Sequence, residues 1–174
     1  GIDKLRDAGC EVVTGVLEEE SRFLNRRFFT FHEKTRPYIV LKWAQSPDGY
    51  IDVLRAKDHK TGPNWITGKP ERVLVHRWRS SEQAILAGAG TIRTDDPGLN
   101  VREWQGPYPL RLVLSGSGAI EKESAIFHTA GTNIVFTHKR NAVFENAVTV
   151  LLDDLRSSAE QIIGYLFNAG IQSV

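Results

Sequence analysis

The sequence predicts an α/β protein in three layers, with a mixed, mostly parallel sheet flanked by helices. Three observations carry that prediction. The runs Leu110–Leu114, Asn133–Thr137 and Val148–Leu152 are nearly continuous in apolar character, as in strands covered on both faces. Helical spacing recurs before and after them, and strands that alternate with helices imply parallel crossover units. The stretch Ala84–Arg102, AILAGAGTIRTDDPGLNVR, starts as a buried strand, turns through Gly88 and Gly90, and ends in a polar loop.

The elements follow in order. Ile2–Ala8 reads as a helix end closed by Gly9, and the β-branched Glu11–Val16 as a short strand. Over Leu17–Phe31, Phe23, Leu24, Phe28 and Phe31 recur at helix spacing. Glu33–Arg36, polar and followed by Pro37, resembles a domain boundary. Tyr38–Ala44 (YIVLKWA) is a strand carrying Lys42, and Ser46-Pro47-Asp48-Gly49 is a turn. Residues 52 to 64 read as a mobile surface loop. Trp65-Ile66-Thr67 leads into a helix capped at Thr67 or Gly68, with Pro70 in its first turn, running to about Arg79. After the three central strands, Ser157–Ala169 is a helix with Gly170 at its C-cap. Ile171–Val174 begins another strand.

Composition narrows the function classes. The 174 residues suit roughly one domain. Lys plus Arg is 22 against 21 for Asp plus Glu, so no global charge favours nucleic acid or an anionic membrane. No apolar run approaches the ~20 residues of a membrane span, and no signal peptide is recognisable. A single cysteine, Cys10, excludes an internal disulfide framework and a cysteine-rich zinc site. A reducing cytoplasm is the simplest home. The chain opens at Gly1, lacks Met altogether and stops at Val174 in an incipient strand, so it reads as a piece of something longer.

Each candidate functional residue has two readings. Gly88 and Gly90 either let a ligand approach the backbone closely or make a plain tight turn. Lys42 either snorkels to water or faces a pocket. Asp48 shapes its turn or supplies an acid, and Trp65 stacks on a planar ligand or anchors the core. Arg79 and Arg102 grip a phosphate or are solvated. His76-Arg77-Trp78-Arg79 is one helical turn whose side chains diverge, a poor nucleic-acid patch. Asp95-Asp96 before Pro97 is best suited to accepting backbone N–H bonds. His32, His59, His76, His128 and His138 never fall at metal-ligand spacing, and no Ser-His-Asp pattern or Gly-x-Ser-x-Gly element occurs.

Taken in order, Leu41–Gly49 (LKWAQSPDG), Trp65-Ile66-Thr67 and Ala84–Arg102 resemble the reductase domain of the bifunctional riboflavin-biosynthesis deaminase/reductase. The resemblance implies a dihydrofolate-reductase-like fold, truncated here at the C-terminus before a Glu-Gly-Gly-type loop. It divides the chain into residues 1–35, the tail of a preceding deaminase domain whose zinc motif is absent, and 36–174, about two thirds of a reductase domain.

The implied activity is NADPH-dependent reduction of 5-amino-6-(5-phosphoribosylamino)uracil by hydride transfer to C1′ of the ribosyl group. A dihydrofolate- or pteridine-type reductase and a non-catalytic nucleotide-binding module are the alternatives. By the same resemblance, Ala44, Trp65, Thr91 and Asp95 contact the cofactor. Pro63, Arg79, Leu99 and Arg102 occupy substrate-contacting positions, and Lys42 touches the ribosyl oxygens. Pro63 departs from the family's serine and cannot donate the same bond. Ser115-Gly116-Ser117-Gly118 departs from an Asp-Ser. The implied partners are the small-molecule substrate and a second copy of the full-length protein, with no metal, nucleic acid or membrane.

Overall fold

The computed structural model describes residues 1–55 and 61–174. A four-stranded sheet organises them: β1 (Ala84–Gly88), β2 (Leu110–Leu114), β3 (Asn133–Thr137) and β4 (Val148–Leu151). The strands lie in sequence order and pair in parallel throughout, with Ala84 opposite Leu110, Leu112 opposite Ile134 and Ile134 opposite Val148.

The period-2 alternation of a strand sends successive side chains to opposite faces. Here both faces are apolar, and each meets a helical layer. Leu112, Ile134 and Phe136 pack with Ala84 and Leu152 against Ile162 and Leu166 of a C-terminal helix, Ser158–Asn168. Val113 and Val135 face the other way. There they meet Ala89 and Ile92 of Ala89–Asp95, Ile126 and Phe127 of Ala125–His128, and Leu99 from the connecting loop. Three layers result, as expected.

In chain order the helices are α1 (Ile2–Asp7), α2 (Glu18–Leu24), α3 (Arg26–Lys34), α4 (Lys69–Ser81), α5 (Ala89–Asp95), α6 (Ala125–His128) and α7 (Ser158–Asn168). The end of α1 follows the expectation. Gly9 adopts φ +81°, Cys10 N–H donates to the Leu5 carbonyl at 3.0 Å, and Gly9 N–H donates to Arg6 at 2.9 Å. This is a Schellman closure, which favours glycine in the left-handed position. The cap of α4 at Gly68, with Pro70 in the first turn, also follows. So does the Ser46–Gly49 turn, where Ser46 Oγ donates to Asp48 and Gly49 N–H to the Ser46 carbonyl.

Five expectations are corrected. Glu11–Val16 forms no strand; Val13 is 71% exposed, and β propensity without a partner ladder buries nothing. The single helix over 17–31 is two helices, divided at Asn25, whose Nδ2 donates to the Ser21 carbonyl at 2.9 Å and competes with the helical ladder. Tyr38–Ala44 pairs only at its start: Tyr38 N–H donates to Gln172 and Val40 N–H to Val174, both at 2.8 Å. Beyond Val40 the described residues supply no further partner, and Leu41 and Trp43 are exposed. Gly88 leads directly into α5 rather than a loop, because Ala89 and Ile92 gain burial on the sheet as a helix. Finally, β4 is an edge strand, with Val148 and Leu151 exposed, so its apolar character does not mean cover on both faces.

Ile171–Val174 continues the sheet on the other side. The Ser173 carbonyl accepts from Ala84 N–H at 3.1 Å, and Ser173 bridges in parallel to Tyr38. Contacts that join α3 to later parts of the chain include a bond from Arg27 Nε to Glu82 at 2.8 Å and the Phe31 and Phe167 rings, 4.8 Å apart. The part of the 52–64 loop at 56–60, including His59, lies outside the described residues. No helix among those described is long and apolar enough to cross a membrane.

Candidate functional site

Arg72, His76 and Arg79 occupy one stripe of α4, at i, i+4 and i+7. The stripe faces the turn after α5. That turn alternates: Leu99 and Val101 enter the core, which leaves Asn100 and Arg102 on the other side. Its start is held twice. Asp96 accepts a bond from Ala125 N–H at 2.7 Å, capping α6. Arg111 of β2, only 1% exposed, donates to the Gly98 carbonyl at 3.1 Å and the Thr129 carbonyl at 2.7 Å.

Two bonds join this turn to α4. Arg79 Nη1 donates to the Asn100 carbonyl at 2.6 Å, and Arg102 backbone N–H donates to His76 Nδ1 at 3.3 Å. Arg102 Nη1 also donates to Asn100 Oδ1 at 3.2 Å. Both guanidinium groups therefore converge on Asn100. Among the described residues no carboxylate forms an ion pair with Arg72, Arg79 or Arg102. Burial and the charge of Arg102 push the Arg79 pKa down. Burial lowers that of His76, with Arg79 and Arg102 adding to the effect. Arg72 Nε and Arg79 Nε are buried without a hydrogen-bond partner. Such an excess of positive charge, with donors unspent, suits a phosphate-like dianion.

A second feature lies along α5. A cavity of about 170 Å³ is lined by Ile51, Asp52, Arg55, Asn64, Thr91 and Asp95 among others. Arg55 organises it. Its Nε donates to Asp52 at 2.8 Å, Nη1 to the Gly62 carbonyl at 2.8 Å, and Nη2 to Asp95 at 3.1 Å. Hydrogen bonding from Arg55 holds the Asp52 carboxyl below its ordinary range. Asp95 is pushed up by burial, with Asp52 adding to that shift and Arg55 opposing it. At Gly88 and Gly90, a Cβ would meet nothing within 4 Å, so a ligand can approach that backbone.

The expected site residues fall into groups. Arg79 and Arg102 come together. Thr91 and Asp95 share the α5 cavity. Trp65 is 53% exposed, which removes the core-anchor reading, and Arg72 stacks over its ring at 4.6 Å. Leu99 is buried in the core at φ +48°, so a ligand contact at that position falls to its backbone rather than its side chain. Pro63 is exposed. Lys42 is exposed and Ala44 half-buried, both beyond the paired part of their segment. The divergence along His76–Arg79 is observed: His76 is buried while Arg77 reaches over Trp104 at 5.4 Å. Asp96 accepts the backbone bond expected of it, whereas Asp95 pairs with Arg55.

Sequence reasoning passed over Arg55, Arg72, Asn100 and Arg111, and weighed His76 only as part of a nucleic-acid patch or as a metal ligand. The stripe spacing of Arg72, His76 and Arg79 was available as a signal. For Arg55 and Arg111 there was none, since their partners are remote in sequence.

Comparison with known proteins places these features in a family. The model described as the RibD C-terminal domain matches residues 37–172. Riboflavin biosynthesis protein RibD of Aquifex aeolicus is 40% identical over 146 residues, covering 81% of this chain and 39% of that protein. The Bacillus amyloliquefaciens protein of the same name is 31% identical, covering 100% of this chain and 48% of its own length. Among solved structures, the Thermotoga maritima diaminohydroxyphosphoribosylaminopyrimidine deaminase/5-amino-6-(5-phosphoribosylamino)uracil reductase superposes with TM-score 0.87 at 35% identity, covering 99% of this chain and 48% of that one. Riboflavin biosynthesis reductase Rib7 of Saccharomyces cerevisiae, at TM-score 0.58, 18% identity, 87% of this chain and 70% of that one, shares the fold. The chain thus spans half or less of the curated relatives it matches.

Proposed function

This chain belongs to the RibD C-terminal domain family, and on that premise we propose that it takes part in riboflavin biosynthesis as a reductase of 5-amino-6-(5-phosphoribosylamino)uracil. The observation that supports this reading most is the convergence of Arg79 and Arg102 on Asn100 without a carboxylate ion pair among the described residues. A substrate phosphate would complete that cluster.

NADPH, when bound, supplies the hydride. The residues of this chain bind, orient and exclude water. Arg79 and Arg102 hold the 5-phosphate, with the backbone at Leu99 and the Pro63 segment beside the substrate. Lys42 meets the ribosyl oxygens near C1′. Trp65, Ala44, Thr91 and Asp95 face the cofactor, and the open space over Gly88 and Gly90 fits a close backbone approach. Fixing C1′ against the cofactor in an aligned, water-poor geometry is the protein's contribution to the barrier. In the open-chain form of the substrate, reduction of the C=N bond would place the hydride on C1′ and a proton from solvent on the nitrogen, giving the ribitylamino product.

For the longer protein, we assign residues 1–35 to the tail of a deaminase domain and residues 36–174 to the reductase, working as a homodimer in the cytoplasm. The test is oxidation of NADPH by the full-length protein, followed by loss of reduced-nicotinamide absorbance. Oxidation dependent on the phosphoribosylamino-uracil is the expected result. Cofactor binding, seen as tryptophan quenching, without turnover would instead favour a nucleotide-binding module. Turnover of dihydrofolate alone would favour a pteridine-type reductase.

A further inference from the structure

Building on that reading, we propose that His76 is a positioning residue for the phosphate-binding arginines, holding the Asn100–Arg102 turn against α4. The imidazole is buried, at 5% exposure, on the same stripe as Arg79. Its Nδ1 accepts the backbone N–H of Arg102 at 3.3 Å, while Arg79 Nη1 donates to the Asn100 carbonyl at 2.6 Å. The first bond fixes where the Arg102 side chain departs from the backbone. The second ties the Arg79 guanidinium to the same turn. Together they refer both cations to one short segment, so that they address one anion rather than two.

This function requires a neutral ring. An imidazolium has no acceptor lone pair and would repel the arginines. The groups facing His76 are Arg79 from α4, and Arg102, Glu103 and the Asn100 backbone from the turn. The two cations and burial favour the neutral form; Glu103 and the Asn100 backbone oppose it. With Nδ1 accepting, the proton sits on Nε2. A histidine that merely fills the core would influence stability but not the affinity for phosphate.

The experiment uses the full-length protein with His76→Phe and His76→Asn. Asparagine offers an acceptor oxygen near the position of Nδ1, whereas phenylalanine offers none. His76→Phe is expected to raise KM for the 5-phosphorylated substrate about three- to tenfold, the range of one hydrogen bond, with kcat little changed. It should weaken binding of ribitol 5-phosphate, read by tryptophan fluorescence without turnover, by the same factor. His76→Asn should restore most of both. Unchanged KM and unchanged ribitol 5-phosphate binding in His76→Phe would overturn the proposal, as would equal losses in both variants. Should the phenylalanine variant not fold, nitrogen NMR of the wild-type imidazole decides: the neutral Nε2–H tautomer at pH 7 supports the role, and the Nδ1–H tautomer or a charged ring refutes it. Failure of the wild type to reduce the substrate strikes at the proposed function. A wild type that turns over beside an unaltered His76→Phe strikes only at the positioning role.

Discussion

Arg55 Nη2 lies 3.1 Å from Asp95 Oδ1, joining positions forty residues apart. The same guanidinium engages Asp52 through Nε at 2.8 Å. One cation thus bridges two carboxylates on the wall of the α5 cavity, and it fixes the direction of the acid expected to face the cofactor.

Arg55→Ala leaves Asp52 and Asp95 facing each other without a counter-ion. A several-fold rise in the NADPH KM is expected, with kcat and the substrate KM nearly unchanged. Steady-state kinetics on the full-length protein, varying each reactant in turn, checks this. Equal changes in both KM values would refute a local role for Arg55.

Arg79→Ala and Arg102→Ala should each raise the substrate KM by roughly 10- to 100-fold, the consequence of losing a charge-assisted bond of about 1.5–3 kcal/mol. The double variant should lose less than the product of the two, because both cations are proposed to bind one anion. A purely multiplicative result would show that they act on separate groups.

Lys42→Ala should lower kcat more than it raises KM, since its expected contact is with oxygens beside the reacting carbon. A fall in thermal stability at constant kcat would make the lysine structural.

Glu82 and His76 are among the groups that shape the acid side of the stability profile. Burial disfavours ionisation of Glu82, but hydrogen bonds from Arg27 and Ser173 outweigh it and hold its pKa below 4.5. Its stabilising contribution is complete above about pH 4.5 and is lost as pH falls through the lowered folded value. His76 has a folded pKa below 6.5. The unfolded chain therefore takes up that proton first, and stability begins to decline below about pH 6.5. Asp95, raised above 3.8, acts in the opposite sense: its ionisation as pH rises reduces stability. Thermal melts from pH 7 to 3 should show Glu82→Gln flattening the lower part of the decline and His76→Asn the upper part. Wild-type slopes in both variants would refute the assignment.

Arg111→Met removes the donors to the Gly98 and Thr129 carbonyls and should cost about 1–3 kcal/mol, the penalty for leaving part-buried acceptors unpaired. Because Gly98 precedes the arginine-bearing turn, the substrate KM should rise as well. Denaturant unfolding and kinetics separate the two effects. A loss of stability with unaltered KM would confine Arg111 to the core.

How far the sequence could be read depended on how local each determinant was. Strands β1 to β3, the helix after Pro70 and the helix before Gly170 are written in periodicity and caps within one short window, and these were legible. The β-branched Glu11–Val16 carries the same local signal as a true strand, yet among the described residues it pairs with no strand and stays largely exposed. Tyr38–Ala44 failed in part for the same reason, because a ladder exists only where another backbone lies alongside. The motif resemblance singled out Arg79 and Arg102, and their convergence on Asn100 emerged from the fold.

By itself the sequence determined the alternation of apolar strands and amphipathic helices, and hence the three-layer architecture. It also determined the chemical kinds available to the site: two guanidinium groups, an indole and an acid at the end of α5. Tertiary structure alone decided that Leu99 turns inward, that Arg55 reaches Asp95, and that His76 stands beneath Arg102. The physical reason is range. Helix and strand signals arise from neighbours a few residues apart, whereas burial, ion pairing and hydrogen-bond partners are set by segments that only folding brings together.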